Sequence, residues 1–254
     1  MRDRIISDPT HYERRIASND EVRAIAEAMF EQGLRPPPGK MLGDAEHQLH
    51  RVRALYSMGA SIDEVRSEYE SLPQLFSQEV DLTPEELFNP AMVGGGFNDF
   101  LWVTALSVLF EDERGASLLA GAVERFGMTD FFVDSFIGSM IPFRDPSQTL
   151  QLEIISKFHG VDPVLRPHEP LKALAERAAI DPEAASDALT KYASKDWYRL
   201  HSWTGWYNKH KAPSAERVYS GYWCFECAAV AKVFNIDDAK LESSKYYPWD
   251  LAHF

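Results

Sequence analysis

Hydrophobic residues recur every three or four positions along most of the chain, which is the period of an α-helix that buries one face. Three local signals help to place the ends of these helices: a cap at Asn19 or Asp20, a stop at Gly59, and a capping box formed by Ser61 and Glu64. Together with such signals, the pattern predicts helices over about 19–33, 42–58, 61–75, from 83, 97–110, 112–126, 129–140, 149–158, 170–179, 181–192 and 222–233. No segment alternates with the period of two that a half-buried strand requires, and no hairpin dipeptide occurs. The chain is therefore predicted to be all-α, an irregular multi-helix array rather than a simple bundle.

The C-terminal segment, residues 219–254, is rich in aromatic and small apolar side chains. Its helix is expected to run from about Tyr222 to Val233 and to stop near Asn235. Because it is apolar on nearly every face, we expect this aromatic-rich helix to be buried at the centre of the fold. The closing segment, 246–251, carries too much aromatic surface to remain in solvent and should pack back on the domain.

Glu226 is the one acidic residue of that predicted helix. A buried carboxylate must be paired or hydrogen-bonded. The candidate partners are Arg199, Lys232, or the N–H or O–H of a tryptophan or tyrosine. The aromatic cluster at 197–210 could stack a base, but it is better interpreted as the wall against which the last helix packs.

Ordered motifs at both ends of the chain resemble those of one family. The C-terminal motifs GYWxFE and YYPxD comprise Gly221, Tyr222, Trp223, Phe225, Glu226, Tyr246, Tyr247, Pro248 and Asp250. The N-terminal motifs are Arg2-Asp3 and two runs, at 55–59 and 62–69. Together they resemble the PoNi-like immunity proteins, whose N-terminal and C-terminal regions would here span 1–75 and 76–254 in one compact unit. The middle of the chain, about 75–190, carries no motif that we can match.

This resemblance implies immunity to a PoNe-type DNase toxin of a type VI secretion or polymorphic toxin system. Such a protein binds and inhibits the cognate toxin that a neighbouring gene encodes, and so protects the producing bacterium. It would have no catalytic residue, no metal and no cofactor. The motif residues would then have a structural role.

The acidic residues are unevenly distributed along the chain. The net charge is −13, and residues 60–153 contain 17 Asp and Glu against 4 Arg and no Lys. A block of one sign repels nucleic acid and attracts basic partners, so we expect a basic nuclease as partner and no direct binding of nucleic acid. From this charge map, and not from a family motif, we predict that the toxin contacts Glu79, Asp81, Glu85, Glu86, Glu111, Asp112, Glu113, Asp130 and Asp134.

The remaining composition indicates a cytoplasmic protein. No run approaches the roughly 18 apolar residues of a membrane span, so no membrane partner is expected. The charged start, MRDRIISDPTHYERR, lacks the apolar region of a signal peptide. Two cysteines cannot form a disulfide framework, which agrees with a reducing compartment.

Two other functions stay open. An all-α hydrolase could use Glu226 with His201 and His210, with or without zinc at Cys224 and Cys227, because two thiols at CxxC spacing can chelate a metal. An acidic scaffold, or a DNA mimic that binds a basic regulator, would need only the block of negative charge.

Overall fold

The structure, a computed structural model, describes residues 1–32, 42–79, 96–126, 128–141, 150–151 and 166–254. In chain order the elements are α1 (Pro9–Glu31), α2 (Leu42–Met58), α3 (Ile62–Tyr69), α4 (Leu72–Glu79), α5 (Gly96–Leu109), α6 (Glu113–Phe126), β1 (Met128–Thr129), α7 (Phe131–Met140), β2 (Leu150–Gln151), α8 (Glu169–Arg177), α9 (Pro182–Lys191), a π-helical turn (Tyr192–Asp196), α10 (Trp197–Leu200), a 3-10 turn (Lys209–Lys211), α11 (Ala215–Val218), α12 (Phe225–Val233), a 3-10 turn (Ala239–Leu241) and α13 (Trp249–Ala252). The predicted all-α class is confirmed. None of the described helices is both long and apolar enough to cross a membrane.

Two helices that are apolar on all sides form the centre of the molecule. α5 buries every residue except Gly96, and α12 buries Phe225 through Ala231. The two helices pack against each other, and α7 packs against both. The prediction of a buried, aromatic-rich C-terminal helix is thereby confirmed, and Asn235, at φ 52°, ends it in the left-handed conformation expected of a helix stop.

The connection from α2 to α3 follows the sequence signals closely. Gly59 ends α2 with φ +95°, and a Cβ at this position would lie 2.8 Å from the backbone nitrogen of Met1. Ser61 and Glu64 form the predicted capping box at the start of α3. The predicted single helix to about 75 is nevertheless wrong, because α3 ends at Tyr69 and α4 begins afresh at Leu72. Pro73 lacks an N–H, so it fits the first turn of a new helix better than the interior of a continuing one.

The start of α1 differs from the prediction of a cap at Asn19 or Asp20. The helix begins at Pro9, where the Asp8 carboxylate accepts a hydrogen bond of 3.0 Å from the backbone N–H of Thr10. Asn19 lies inside the helix, 1% exposed. An aspartate followed by proline is itself a helix start signal, so the helix begins at Asp8-Pro9, well before the predicted cap.

A minimal pair of parallel strands departs from the prediction that no strand is present. Met128 pairs with Leu150, and Thr129 with Gln151. The helix predicted over 149–158 is therefore wrong at Leu150–Gln151, and the remainder of it lies outside the described residues, as does the helix predicted from 83. Because β1 takes Thr129, α7 begins at Phe131, capped by Asp130.

The N-terminal residues pack against the C-terminal part of the chain. Asp3, 6% exposed, accepts hydrogen bonds from the hydroxyls of Tyr12 and Tyr219, the latter at 2.7 Å. Arg2 Nε contacts Asp250 Oδ2 at 2.5 Å. The closing segment therefore packs back on the domain, as predicted.

Candidate functional site

The GYWxFE motif is the junction between α2 and the central helix. Gly221 has φ +98°, and a Cβ here would overlap Ser57 Oγ and lie 2.6 Å from Trp223 Nε1, so any other residue would be strained and would displace these side chains. Its carbonyl accepts a 2.5 Å hydrogen bond from Arg53 Nη2. Trp223 Nε1 in turn donates to Ser57 Oγ at 2.8 Å.

The predicted helical conformation of Tyr222 and Trp223 is wrong, since α12 begins only at Phe225. The backbone N–H of Cys224 donates to the carbonyl of Tyr246 at 2.9 Å, so this stretch runs beside the closing segment. Tyr222 places its hydroxyl 3.0 Å from His210 Nδ1.

The YYPxD motif holds the end of the chain in place. The Tyr247 hydroxyl donates to Asp238 Oδ2 at 2.5 Å, and the Pro248 carbonyl accepts from the backbone N–H of Leu251 at 3.0 Å. Asp250 binds Arg2. These contacts are internal to the protein.

Glu226 is fully buried in the first turn of α12. Trp197 Nε1 donates to its Oε1 at 2.6 Å, and Trp102 Nε1 donates to its Oε2 at 2.9 Å. Burial raises the pKa of Glu226 to about 7, although both indole hydrogen bonds favour the ionised form. Of the predicted partners, the tryptophans are the ones that bind; Arg199 pairs with Asp196 instead.

Two buried imidazoles adjoin Glu226. His168 is 3% exposed and His201 is fully buried, and one ligand atom of each lies within 4.8 Å of the other and of a Glu226 oxygen. Burial lowers the pKa of His201 to about 4 and that of His168 well below its usual value, so both rings are neutral near pH 7. Of the two histidines that the hydrolase alternative placed with Glu226, His201 lies in this group, whereas His210 does not and His168 is its third member.

The cysteines of the CxxC pair are buried and unbridged. Cys224 Sγ donates to the Tyr246 carbonyl at 3.1 Å, and burial raises the pKa of both thiols. Within the described residues, neither thiol belongs to a group of three potential metal ligands. Cys224 and Cys227 therefore act as two small, buried apolar residues in the core.

The predicted toxin-contacting acids fall into three groups. Asp81, Glu85 and Glu86 lie outside the described residues, and Glu79 ends α4, with its side chain undescribed. A second group has internal hydrogen bonds: Asp112 accepts from the Tyr69 hydroxyl, buried Asp130 from the backbone N–H of Val133, and Asp134 from the Thr129 hydroxyl. The third group is exposed and consists of Glu111 and Glu113.

Asp112, which lies between the two exposed acids in the sequence, lines a cleft of about 250 Å³ between α3, α4 and the start of α6. Its lining residues are Arg66, Tyr69, Glu70, Pro73, Gln74, Asp112, Arg114, Gly115 and Leu118. Glu111 pairs with Lys232 at 2.9 Å, which lowers the pKa of Glu111 and neutralises part of its charge. The sequence prediction omitted Glu70, which is exposed and lines the cleft; its place in the acidic block was the available signal.

A second cleft, of about 260 Å³, is lined by several basic side chains, although the protein as a whole is acidic. Arg15 and Arg53 line it together with His50 and Glu46. Burial, and then the neighbouring Arg53, lowers the pKa of Arg15 to about 10. His50, which is mostly buried, has its pKa lowered to about 4, chiefly by burial.

Comparison with known families adds the identity that the geometry alone does not give. The model of the N-terminal region of the PoNe immunity proteins (PoNi) matches residues 40–120. The model of the C-terminal region of the same proteins matches residues 158–251. No curated protein and no solved structure matches the chain. Because both regions match, in order and over more than half of its length, the chain belongs to the PoNe immunity protein (PoNi) family.

Proposed function

We propose that this protein binds and inhibits a cognate PoNe-type DNase toxin in the cytoplasm of the producing bacterium. The observation that carries the proposal is the match of both PoNi regions to one chain. Inhibition is by occlusion, without catalysis by the immunity protein. The expected partner is the basic nuclease that a neighbouring gene encodes.

The charge of the protein supports this partner. A nuclease must bind the DNA phosphates with a basic surface. An acidic inhibitor complements that surface, which speeds the encounter between the two proteins and disfavours binding of nucleic acid to the inhibitor itself. The net charge of −13 and its concentration in residues 60–153 fit this role.

We propose that the toxin-binding face includes the cleft between α3 and α6. Glu70 lines the cleft, and Glu111 and Glu113 are exposed on either side of the lining residue Asp112 in the sequence, so all three can meet basic side chains of a partner. The mostly internal hydrogen bonds of Asp112, Asp130 and Asp134 give these residues a smaller part in binding, because a partner would have to break them.

The experiment is co-purification of the untagged protein with the tagged product of the adjacent gene, whose nuclease site has been inactivated by mutation. The proposal predicts a one-to-one complex. It also predicts that adding equimolar immunity protein to the active toxin abolishes cleavage of plasmid DNA. Absence of both a complex and inhibition would overturn the proposed function.

The same experiment separates the alternatives. A DNA mimic or scaffold for another regulator would form no complex with the adjacent gene product. A hydrolase that acted on the toxin would remove toxin activity at a small fraction of one equivalent, with turnover, whereas an occluding inhibitor requires stoichiometric amounts. Titration of inhibition against the amount of immunity protein therefore distinguishes catalysis from binding.

A further inference from the structure

Three potential metal ligands lie close together in the buried interior of the protein, where a substrate cannot reach them. Among the described residues, His168, His201 and Glu226 form the one group of three such side chains, with ligand atoms within 4.8 Å of one another. His168 directly precedes α8, His201 directly follows α10, and Glu226 lies in the first turn of α12. The chain thus brings together three separate segments at one point.

The hydrogen bonds of the two rings fix their tautomers. His201 Nδ1 lies 2.8 Å from the carbonyl oxygen of Trp197, so Nδ1 carries the proton and donates. His168 Nε2 lies 3.1 Å from Asn98 Oδ1 and donates in the same way. The other nitrogens, His201 Nε2 and His168 Nδ1, are buried lone pairs with no hydrogen-bond partner among the described residues.

A buried acceptor without a donor costs about 1–3 kcal/mol, so two beside a carboxylate call for an explanation. The arrangement is the one found around bound metals, where each ligating histidine donates its second N–H to a carbonyl or carboxylate and each ligating carboxylate is itself hydrogen-bonded. Trp102 and Trp197 supply those hydrogen bonds to Glu226. Each carboxylate oxygen keeps a further lone pair for a metal.

We propose that His201 Nε2, His168 Nδ1 and one oxygen of Glu226 bind a single divalent transition-metal ion, with Zn²⁺ as the natural occupant. Two imidazoles and one carboxylate are a common zinc ligand set, with bonds of about 2.0–2.2 Å. Tetrahedral ligands at that distance lie about 3.4 Å apart, so each side chain needs to move inward by less than ~1 Å. A water molecule or small anion completes the coordination.

The metal would have a structural role. All three ligands are buried, so the ion would tie α8, α10 and α12 together behind the aromatic cluster. This inference is independent of the proposed toxin binding, since it concerns the interior of the protein and not the cleft between α3 and α6.

The test uses untagged, full-length protein, because an oligohistidine tag binds zinc. The protein is stripped with chelator, dialysed, and titrated with Zn²⁺ by calorimetry and with Co²⁺ by visible spectroscopy. We expect one equivalent of either metal, a d–d absorption band typical of four-coordinate Co²⁺, and no thiolate charge-transfer band. A raised melting temperature with Zn²⁺ should accompany binding.

The variants His201→Gln and His168→Gln are each expected to weaken Zn²⁺ binding by at least ~100-fold, since even loss of an outer-shell partner costs about 10–100-fold. The matched control, His210→Gln, changes a half-buried histidine outside the group and should bind one equivalent as the native protein does. If the native protein binds no metal at micromolar Zn²⁺, the proposal is wrong. A thiolate charge-transfer band would also overturn it, because the metal would then be at the cysteines; this readout needs no variant to fold.

Discussion

Trp102 Nε1 donates a hydrogen bond of 2.9 Å to Glu226 Oε2, across 124 residues of sequence. Trp102 lies in the segment that matches the N-terminal family region, and Glu226 lies in the segment that matches the C-terminal one. The second oxygen of Glu226 accepts from Trp197. A buried carboxylate therefore joins the two family regions at the centre of the fold, where α5 meets α12.

The variant Trp102→Phe tests this connection. It removes an N–H that binds a fully buried carboxylate, and loss of a hydrogen bond to a charged group costs about 1.5–3 kcal/mol before any cavity is counted. We expect a loss of at least ~2 kcal/mol in the free energy of unfolding, measured by urea denaturation. Trp203→Phe is the control, since Trp203 Nε1 has no hydrogen-bond partner within the described chain. Equal losses in both variants would show that the hydrogen bond to Glu226 contributes nothing.

The variant Gly221→Ala tests the close approach at the motif. The backbone there is in the left-handed region, and the added methyl group meets Ser57 and Trp223. Strain of this kind costs about 1–3 kcal/mol, and the steric overlap adds to it. Gly138→Ala, in an exposed helical position with nothing within 4 Å of the new Cβ, should instead raise the melting temperature slightly. A Gly221→Ala protein as stable as the native one would contradict the account of this motif.

The stability of the fold should fall as the pH drops through the range where His50 titrates. Burial is the main reason that the pKa of His50 falls from 6.5 to about 4. The contact with Glu46 raises this pKa, whereas repulsion by Arg15 and Arg53 lowers it further. Because the folded-state pKa is depressed, the unfolded chain takes up the proton first. The stabilising effect of the neutral ring is therefore present above pH 6.5 and is lost as the pH falls towards about 4.

Between about pH 7 and pH 5, we expect the free energy of unfolding of the His50→Gln variant to fall by about 1–2 kcal/mol less than that of the native protein. The measurement is the free energy of unfolding by urea at each pH. His253→Gln, which removes an exposed imidazole 3.2 Å from Asp238, is the comparison variant, and His50→Gln should lose less stability than it does between the two pH values. If His50→Gln and the native protein have the same pH dependence, the pKa of His50 is not depressed by its surroundings.

The local signals of the sequence predicted much of the fold. The stop at Gly59, the capping box at Ser61 and the apolar period of the central helices depend on neighbours within a few residues, so they can be identified in one sequence. The errors have longer-range causes. Tyr222 and Trp223 fit a helical period, but the hydrogen bond of the next residue, Cys224, to the Tyr246 carbonyl and the close approach at Gly221 hold this stretch in a non-helical conformation.

The buried centre could be predicted only in part. Because Glu226 is the one acidic residue of an apolar helix, the sequence predicted that it needs a hydrogen-bond partner, and tryptophan was among the candidate donors. His168 could not be assigned, because it precedes His201 by 33 residues in a segment with no matching motif. Among the acidic residues, the sequence located the charge along the chain, but it could not tell exposed Glu113 from buried Asp130, whose side chain caps a helix.

The central claim is that the exposed acids Glu70, Glu111 and Glu113 steer a basic toxin to this protein. The most direct test is the association rate constant with the inactivated toxin, measured at low and at physiological ionic strength. The native protein is compared with the triple variant Glu70→Lys/Glu111→Lys/Glu113→Lys and with a control of equal charge change, Glu13→Lys/Glu176→Lys/Glu242→Lys, on exposed sites elsewhere. Each triple variant also breaks one ion pair, with Lys232 or Lys172. We expect association of the native protein to slow with salt, the first triple variant to associate at least ~10-fold more slowly at low salt, and the control to stay within a few-fold of native. Equal rates for the two triple variants would contradict the account.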